Sequence, residues 1–345
     1  MPASLRIWVV GFGTVGQWLV RALDEQAQRL AERYGVGVTV VGLANARDGF
    51  IHDGDGLDLA AVLALAGDGR SIAEQPGVGR WPSALEGLRA TEADLLVEVT
   101  ASPPADGEPG FAHMREALER GIPVVTSNKW PVALHGVELA ELARARGVAF
   151  RAESTVMSGT PVLSTLVDGL AGAAPTALRG LLNATANFIL TRMAGGATYE
   201  DALAEAQRLG LAERDPAADV EGPDTVAKVM VLSALVFGRQ LRPTHVTCRG
   251  ITDVARTEID RAAASGGRIK HVATLDLTDP DDIIARVQPE LVGSDDPLVS
   301  IEGTTNAVVC AASPLGEVTI TGPGAGPQLA GQGVLSDVIA IARRP

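Results

Sequence analysis

Two cysteines in 345 residues, Cys248 and Cys310, are too few and too far apart for a disulfide framework or a zinc ligand set. A reducing, cytoplasmic setting is the expectation. Long apolar runs are missing as well: none approaches the roughly 18 residues of a spanning helix, and the N-terminus lacks the basic start and apolar stretch of a secretion signal. No membrane association is expected. Positive charge is scarce, with 29 Lys plus Arg against 42 Asp plus Glu, and a net charge of −13 repels a nucleic-acid backbone or an anionic bilayer. Nucleic acid is therefore not expected as a partner. There is no Gly-x-Ser-x-Gly elbow and no His-Glu-x-x-His, and His113, His135 and His245 lack helix-spaced partners for a metal. Serine-hydrolase and zinc-protease chemistry are set aside. No internal repeat or low-complexity tract occurs.

What remains is an ordinary globular composition, 46% apolar and 21% charged, at a length that suits two domains. In the first half, short β-branched runs alternate with segments of helical period, the pattern of βαβ units. Strands are expected at Leu5–Val10, Val38–Leu43, Asp94–Val99, Pro123–Thr126 and Val148–Arg151, and helices at Thr14–Arg33, Leu57–Leu65, Phe111–Arg120 and Val137–Arg146. The fold class is α/β: a Rossmann-type, doubly wound parallel sheet followed by a second, α+β domain. That second part is marked by a strand at Ala177–Asn183, helices at Tyr199–Leu209 and Asp224–Phe237, and a β-rich tract through Val318–Thr321. A last helical pattern, Gly333–Ala342, is expected to pack back on the first domain. The division is 1–154 completed by 322–345, and 155–321.

The first strand runs into Gly11-Phe12-Gly13-Thr14-Val15-Gly16 and then a helix, the context a dinucleotide fingerprint requires. Gly11 serves the tight turn, Gly13 lets a pyrophosphate approach, and Gly16 allows close packing of helix on strand. An NAD or NADP site follows. The second strand ends in Ala44-Asn45-Ala46-Arg47-Asp48 with no acidic residue where a ribose 2′-hydroxyl is usually bound. Arg47 either meets a 2′-phosphate, which favours NADP slightly, or pairs with Asp48 in a solvated loop. The coenzyme choice stays open.

Ligands of open α/β sheets gather beyond the carboxyl ends of strands, which singles out Thr100-Ala101-Ser102 and Thr126-Ser127-Asn128-Lys129. Lys129 either polarises a carbonyl beside the nicotinamide or is a solvated lysine. Farther on, Glu213, Asp215, Asp219 and Glu221 precede Pro223 and a helix carrying Asp224 and Lys228 at i, i+4. The helix is apolar on most sides, so the pair reads as a buried, proton-handling site ahead of an ordinary surface pair.

With these motifs in order, Gly11–Gly16, Val97-Glu98-Val99-Thr100, Thr126–Lys129, Ala152–Val156, Asp215–Lys228 and Gly322-Pro323-Gly324-Ala325-Gly326, the chain resembles homoserine dehydrogenase over nearly its whole length. The resemblance implies NAD(P)-dependent interconversion of L-homoserine and L-aspartate 4-semialdehyde, on the route to threonine and methionine. It implies proton transfer by Lys228 with Asp224 as partner, and Lys129 as a cation between nicotinamide and substrate. Substrate contact is implied for Glu213, Asp219, Ala184 and Thr185, and a nicotinamide pocket for Thr100 and Gly326. It further implies a monovalent cation, usually Na+, at Glu153, Val156, Ser158 and Thr160, and a homodimer formed through the second domain. The chain ending at Pro345 implies the short form, without a C-terminal regulatory domain. Two departures stand out: Ala184 and Ala186 where the family has Gly and Thr, and Met157-Ser158 where it has a small Ala-Gly type pair. They make a related small γ-oxo or γ-hydroxy amino acid the alternative substrate; a non-catalytic NAD(P) sensor is a separate alternative, against which the intact acid-base residues argue.

Overall fold

The computed structural model describes residues 4–279 and 282–343, so residues 1–3 and 344–345 at the ends of the first expected domain lie outside the described residues. The chain forms two compact units, 1–159 with 326–345, and 160–325.

In the first unit β1 (Ser4–Val10), α1 (Thr14–Glu25), α2 (Ala27–Tyr34) and β2 (Gly37–Asn45) are followed by β3 (Gly49–His52), α3 (Leu59–Gly67), β4 (Gly79–Trp81) and α4 (Ala84–Ala90). Then come β5 (Leu95–Glu98), α5 (Gly110–Glu119), β6 (Val124–Thr126), α6 (Lys129–Arg146), β7 (Phe150–Arg151) and α7 (Ser154–Met157). The sheet order is β4-β3-β2-β1-β5-β6-β7. Five strands, β2 to β7 through β1, are parallel, as expected of a doubly wound fold. The edge is not: β3 and β4 pair antiparallel, because Asp48-Gly49 turns the chain back at the end of β2, with Gly49 at φ +75°.

Strand alternation sends successive residues of β1 to opposite faces. Ile7 and Val9 join Leu19, Leu23, Leu43 and, from the C-terminal helix Pro327–Ala342, Val334 and Val338. Trp8 and Val10 join Leu96, Met114, Leu118, Val124 and Leu139. Both faces of the sheet are thus covered. The expected single helix over Thr14–Arg33 is broken at Gln26 (φ −106°, ψ 9°), and the break re-aims the second piece so that its one buried residue, Leu30, reaches the first cluster. The helix expected from Leu57 starts at Leu59, since the Asp58 side chain caps it by accepting from Ala61 N at 3.0 Å. The one expected from Val137 starts at Lys129 and tolerates a non-helical residue, His135.

The second unit holds β8 (Ala174–Leu181), α8 (Ala184–Ala194), α9 (Tyr199–Arg208), α10 (Ala217–Val220), α11 (Pro223–Phe237), β9 (Thr247–Cys248) and α12 (Arg256–Ala264). The long strands β10 (Arg268–Asp276), β11 (Ile284–Val292), β12 (Thr305–Ser313) and β13 (Gly316–Pro323) complete a sheet of order β13-β12-β8-β10-β11-β9. The strand expected to run to Asn183 stops at Leu181, because Asn183 instead caps α8, its Oδ1 accepting from Ala186 N at 2.8 Å.

His271 on β10 is 4% exposed, and its Nε2–H donates to Arg249 O at 3.1 Å. Burial pushes its pKa down to about 4. The unfolded chain therefore takes up a proton below about pH 6.5 that the folded ring refuses until about pH 4. Stability is expected to fall with pH across that window, by about 2 kcal/mol at pH 5 relative to pH 7. Urea unfolding at the two pH values checks it: His271→Gln, which keeps a donor for Arg249 O, should remove that share of the slope.

Candidate active site

The turn from β1 to α1 is shaped by three glycines with different duties. Gly11 sits at φ +111°, and a Cβ there would lie 2.5 Å from the Val99 carbonyl carbon. At Gly16 a Cβ would lie 2.1 Å from Gly11 O, so the helix can start against the strand only without a side chain. At Gly13 a Cβ would meet nothing within 4 Å. Phe12 is buried, Gly13 and Thr14 are exposed, and Val15 is half-buried. No side chain caps the helix. Its first N–H groups thus face open space at the carboxyl edge of the sheet, a fit for a pyrophosphate.

At the end of β2, Arg47 is engaged rather than waiting. Its Nε lies 3.1 Å from Asp48 Oδ1, and its guanidinium also donates to Gly69 O and Arg70 O. Burial alone would raise the Asp48 pKa, but hydrogen bonds from Arg47, Asn45, Ser71 and the Ile72 N–H hold it down to about 2. The other cation of this edge, Arg70, pairs with Glu74 at 2.5 Å.

At the ends of β5 and β6 a buried polar cluster takes over. The Glu98 carboxylate, fully buried, accepts the Thr100 hydroxyl, and its other oxygen accepts the Thr126 hydroxyl at 3.5 Å. Thr126 Oγ1 accepts Asn128 N at 2.9 Å, and Asn128 Nδ2 donates to Thr100 Oγ1 at 3.1 Å and Ser102 Oγ at 2.8 Å. Half-buried Lys129 follows directly as the first residue of α6. The sequence marked Thr100 and Lys129, and Glu98 only as part of the motif ending at Thr100, since its partners lie up to 28 residues away.

In the second unit the i, i+4 pair is formed: Lys228 Nζ is 2.8 Å from Asp224 Oδ2, with the side chains 12% and 18% exposed. Lys228 Nζ also donates to Leu182 O at 2.6 Å. Asn183, with Oδ1 committed to its helix cap, turns its amide nitrogen to Asp219 Oδ1 at 2.7 Å and Asp224 Oδ2 at 3.2 Å. Burial raises the Asp219 pKa, and the Asn183 hydrogen bond opposes it. Thr185 donates to Leu211 O at 2.8 Å. Asn183 is the organiser that sequence reasoning missed; an Asn directly before a helix was its signal. Glu213 is exposed, and its side chain is joined to this cluster by no hydrogen bond among the described residues.

The sequence model described as homoserine dehydrogenase matches residues 161–339, and the one described as homoserine dehydrogenase, NAD binding domain, matches residues 11–153. A curated NAD(+)-dependent homoserine dehydrogenase from Pseudomonas canavaninivorans is 40% identical, over 97% of this chain and 96% of that protein. The chain belongs to the homoserine dehydrogenase family. It is accordingly an NAD(P)-dependent oxidoreductase. The Methanocaldococcus jannaschii homoserine dehydrogenase is 35% identical over 97% of this chain and 98% of its own. A hyperthermophilic archaeal homoserine dehydrogenase solved in complex with NADPH superposes with a TM-score of 0.82 at 30% identity, covering 98% of both chains.

Of the two departures from the homoserine dehydrogenase pattern, the one at Ala184 is accommodated locally. Ala184 is the first residue of α8, outside the positive-φ positions, so its backbone has no need of a glycine. Ser158 does occupy a position suited to glycine, at φ 51°, the one non-glycine residue of positive φ among those described. It ends the short helix α7, beside buried Glu153 and Val156. Thr160, in the second unit, donates to Pro323 O at 2.9 Å. Gly326, at φ +130°, caps the C-terminal helix of the first unit. Among the described residues no three His, Cys, Asp or Glu gather as a metal site, and no helix is long and apolar enough to cross a membrane.

Proposed function

We propose that the chain interconverts L-homoserine and L-aspartate 4-semialdehyde, with Lys228 as the group that moves the proton of the substrate oxygen. One observation carries this: the Lys228 ammonium has three N–H donors, two are spent on Asp224 and Leu182 O, and the third has no partner among the described residues. A substrate hydroxyl or carbonyl oxygen is the natural recipient. In oxidation Lys228, as the neutral amine, takes the hydroxyl proton and becomes the ammonium; in reduction the ammonium gives that proton to the carbonyl oxygen. Asp224 holds Nζ in place and, through Asn183, is coupled to Asp219. Glu213 and Asp219 supply carboxylate oxygens for the substrate ammonium, and Ala184 and Thr185 flank it. In the first unit Gly11–Gly16 receive the pyrophosphate, and Thr100, Lys129 and Gly326 line the nicotinamide, with Lys129 supplying positive charge there. When bound, the nicotinamide supplies the two-electron acceptor or donor. The altered-substrate and non-catalytic readings are not favoured, since Ala184 strains nothing and Lys228 pairs with Asp224 as this role requires.

The proposal extends to coenzyme choice. Among the described residues the two cations at the end of β2 are both paired, Arg47 with Asp48 and Arg70 with Glu74, which supports NAD over the NADP preference read from sequence. Nicotinamide absorbance during incubation with L-homoserine and either coenzyme tests substrate and preference together. A higher kcat/KM with NAD is expected, and Asp48→Asn should move the ratio toward NADP by about fivefold by leaving the Arg47 charge uncompensated. No homoserine-dependent reduction with either coenzyme overturns the substrate assignment; a wild-type preference for NADP overturns the coenzyme one.

In the first unit Glu153, Val156 and Ser158 offer oxygen donors, a hard set without sulfur or imidazole, that suit a monovalent cation such as Na+. A homodimer through the second unit and a cytoplasmic location, in keeping with two free cysteines, complete the proposal.

A further inference from the structure

The buried cluster beneath the nicotinamide end fixes one side chain more tightly than its packing alone requires. A carboxylate only accepts hydrogen bonds, so Glu98 obliges the Thr100 hydroxyl to donate to it. The Thr100 oxygen is then left as an acceptor, and the group opposite it, 3.1 Å away, must be the amide nitrogen of Asn128. The second amide N–H goes to Ser102 Oγ at 2.8 Å. A Cβ at Gly110 would fall 2.5 Å from that nitrogen, so the chain closes over the donor side of the amide only because residue 110 has no side chain. The backbone of Asn128 is pinned too, through Thr126, which itself donates to Glu98. His113 Nδ1, buried and 3.6 Å from Glu98 Oε1, backs the carboxylate.

The consequence is a carbonyl with a single allowed direction. Asn128 Oδ1 does not cap α6, accepts no hydrogen bond among the described residues, and is not among the sealed-off buried atoms. It lies between the end of β6 and the start of α6, at the carboxyl edge next to the strand that neighbours the glycine loop. The group a nicotinamide offers there is its carboxamide, an N–H donor pair on a flat ring.

We propose that Asn128 Oδ1 accepts the carboxamide N–H of the nicotinamide, and that Glu98, acting through Thr100, is the positioning residue that aims it. Anchoring the carboxamide sets the rotation of the ring about its glycosidic bond and hence the face it offers to substrate. The inference rests on the coenzyme role of the first unit, not on the identity of the substrate.

Calorimetric titration of the whole protein with NADH and with its reduced 3-acetylpyridine analogue, in which a methyl ketone replaces the carboxamide, tests it without any turnover. The wild type is expected to bind NADH about tenfold more tightly than the analogue. In Asn128→Ala the gap should close to about twofold or less, by weaker NADH binding alone. Glu98→Gln, whose amide can donate to Thr100 and so release Asn128 to flip, should narrow the gap while Glu98→Asp retains more of it. A folded Asn128→Ala protein that keeps the wild-type gap overturns the proposal. Should that variant fail to fold, equal affinity of the wild type for the two coenzymes overturns it equally. Failure of homoserine turnover with the gap intact counts against the substrate assignment only.

Discussion

Replacing Lys228 by alanine is expected to lower kcat for homoserine oxidation by about a thousandfold while leaving NAD(P)H affinity within about twofold of the wild type. The size follows from the role. A positioned proton-transfer group contributes roughly 10²–10⁴ to rate, and this one is held by a carboxylate at 2.8 Å and a carbonyl at 2.6 Å, so no water can be placed as well. The selectivity follows from location. Every bond Lys228 makes lies within residues 160–325, whereas the glycine loop belongs to the other unit. Removing the ammonium also leaves Leu182 O without its donor and takes the cation from Asp224, which costs about 1–3 kcal/mol of stability in that unit. A melting curve separates that loss from the catalytic one. Lys228→Arg keeps the charge but cannot place a single transferable proton in the same spot, and should recover stability without recovering rate. Most of the activity surviving in Lys228→Ala would remove Lys228 from the mechanism.

The parts of this site that could be read from sequence are those written in short range. Gly11–Gly16 is a contiguous strand-turn-helix signal, and Asp224 with Lys228 is a helix-spaced pair; in both the covalent chain itself sets the geometry. Asn183 with Asp219, Glu98 with Thr126, and Thr100 with Asn128 are 36, 28 and 28 residues apart, and only strand order and register bring them together. No spacing rule reaches such pairs. The same limit explains the fold. The parallel strands stand out because they are apolar on both faces, while β3 and β4 are short edge strands whose Asp-Gly turn is the sole local trace. The break at Gln26 is invisible to a helical period that runs through it, because what decides it is where Leu30 must go. Glu213 illustrates the opposite case: its position in the motif is plain, yet its exposed side chain gains meaning only with a substrate to hold.

Within the glycine loop, two substitutions of similar chemistry should have separate effects. Gly13→Val is expected to reduce NAD(P)H affinity by about a hundredfold or more with little change in melting temperature. Residue 13 has φ −86° and ψ −158°, a conformation open to any residue, and the added Cβ meets no protein atom within 4 Å. The fold therefore tolerates the side chain, and the only thing it displaces is the anion that the uncapped N–H groups of α1 would otherwise receive. Gly16→Ala is the reverse case. Its methyl would lie 2.1 Å from Gly11 O, an overlap with backbone that no rotamer relieves, so α1 must move off β1 and the Leu19 and Leu23 packing goes with it. A loss of about 3 kcal/mol or more is expected, and coenzyme binding falls with it because the N–H groups that receive the pyrophosphate sit on the displaced helix. Calorimetric binding and thermal melts on the two variants are sufficient. If Gly13→Val binds NAD(P)H as the wild type does, the pyrophosphate lies elsewhere; if Gly16→Ala melts as the wild type does, the helix has more freedom against the strand than a 2.1 Å overlap permits.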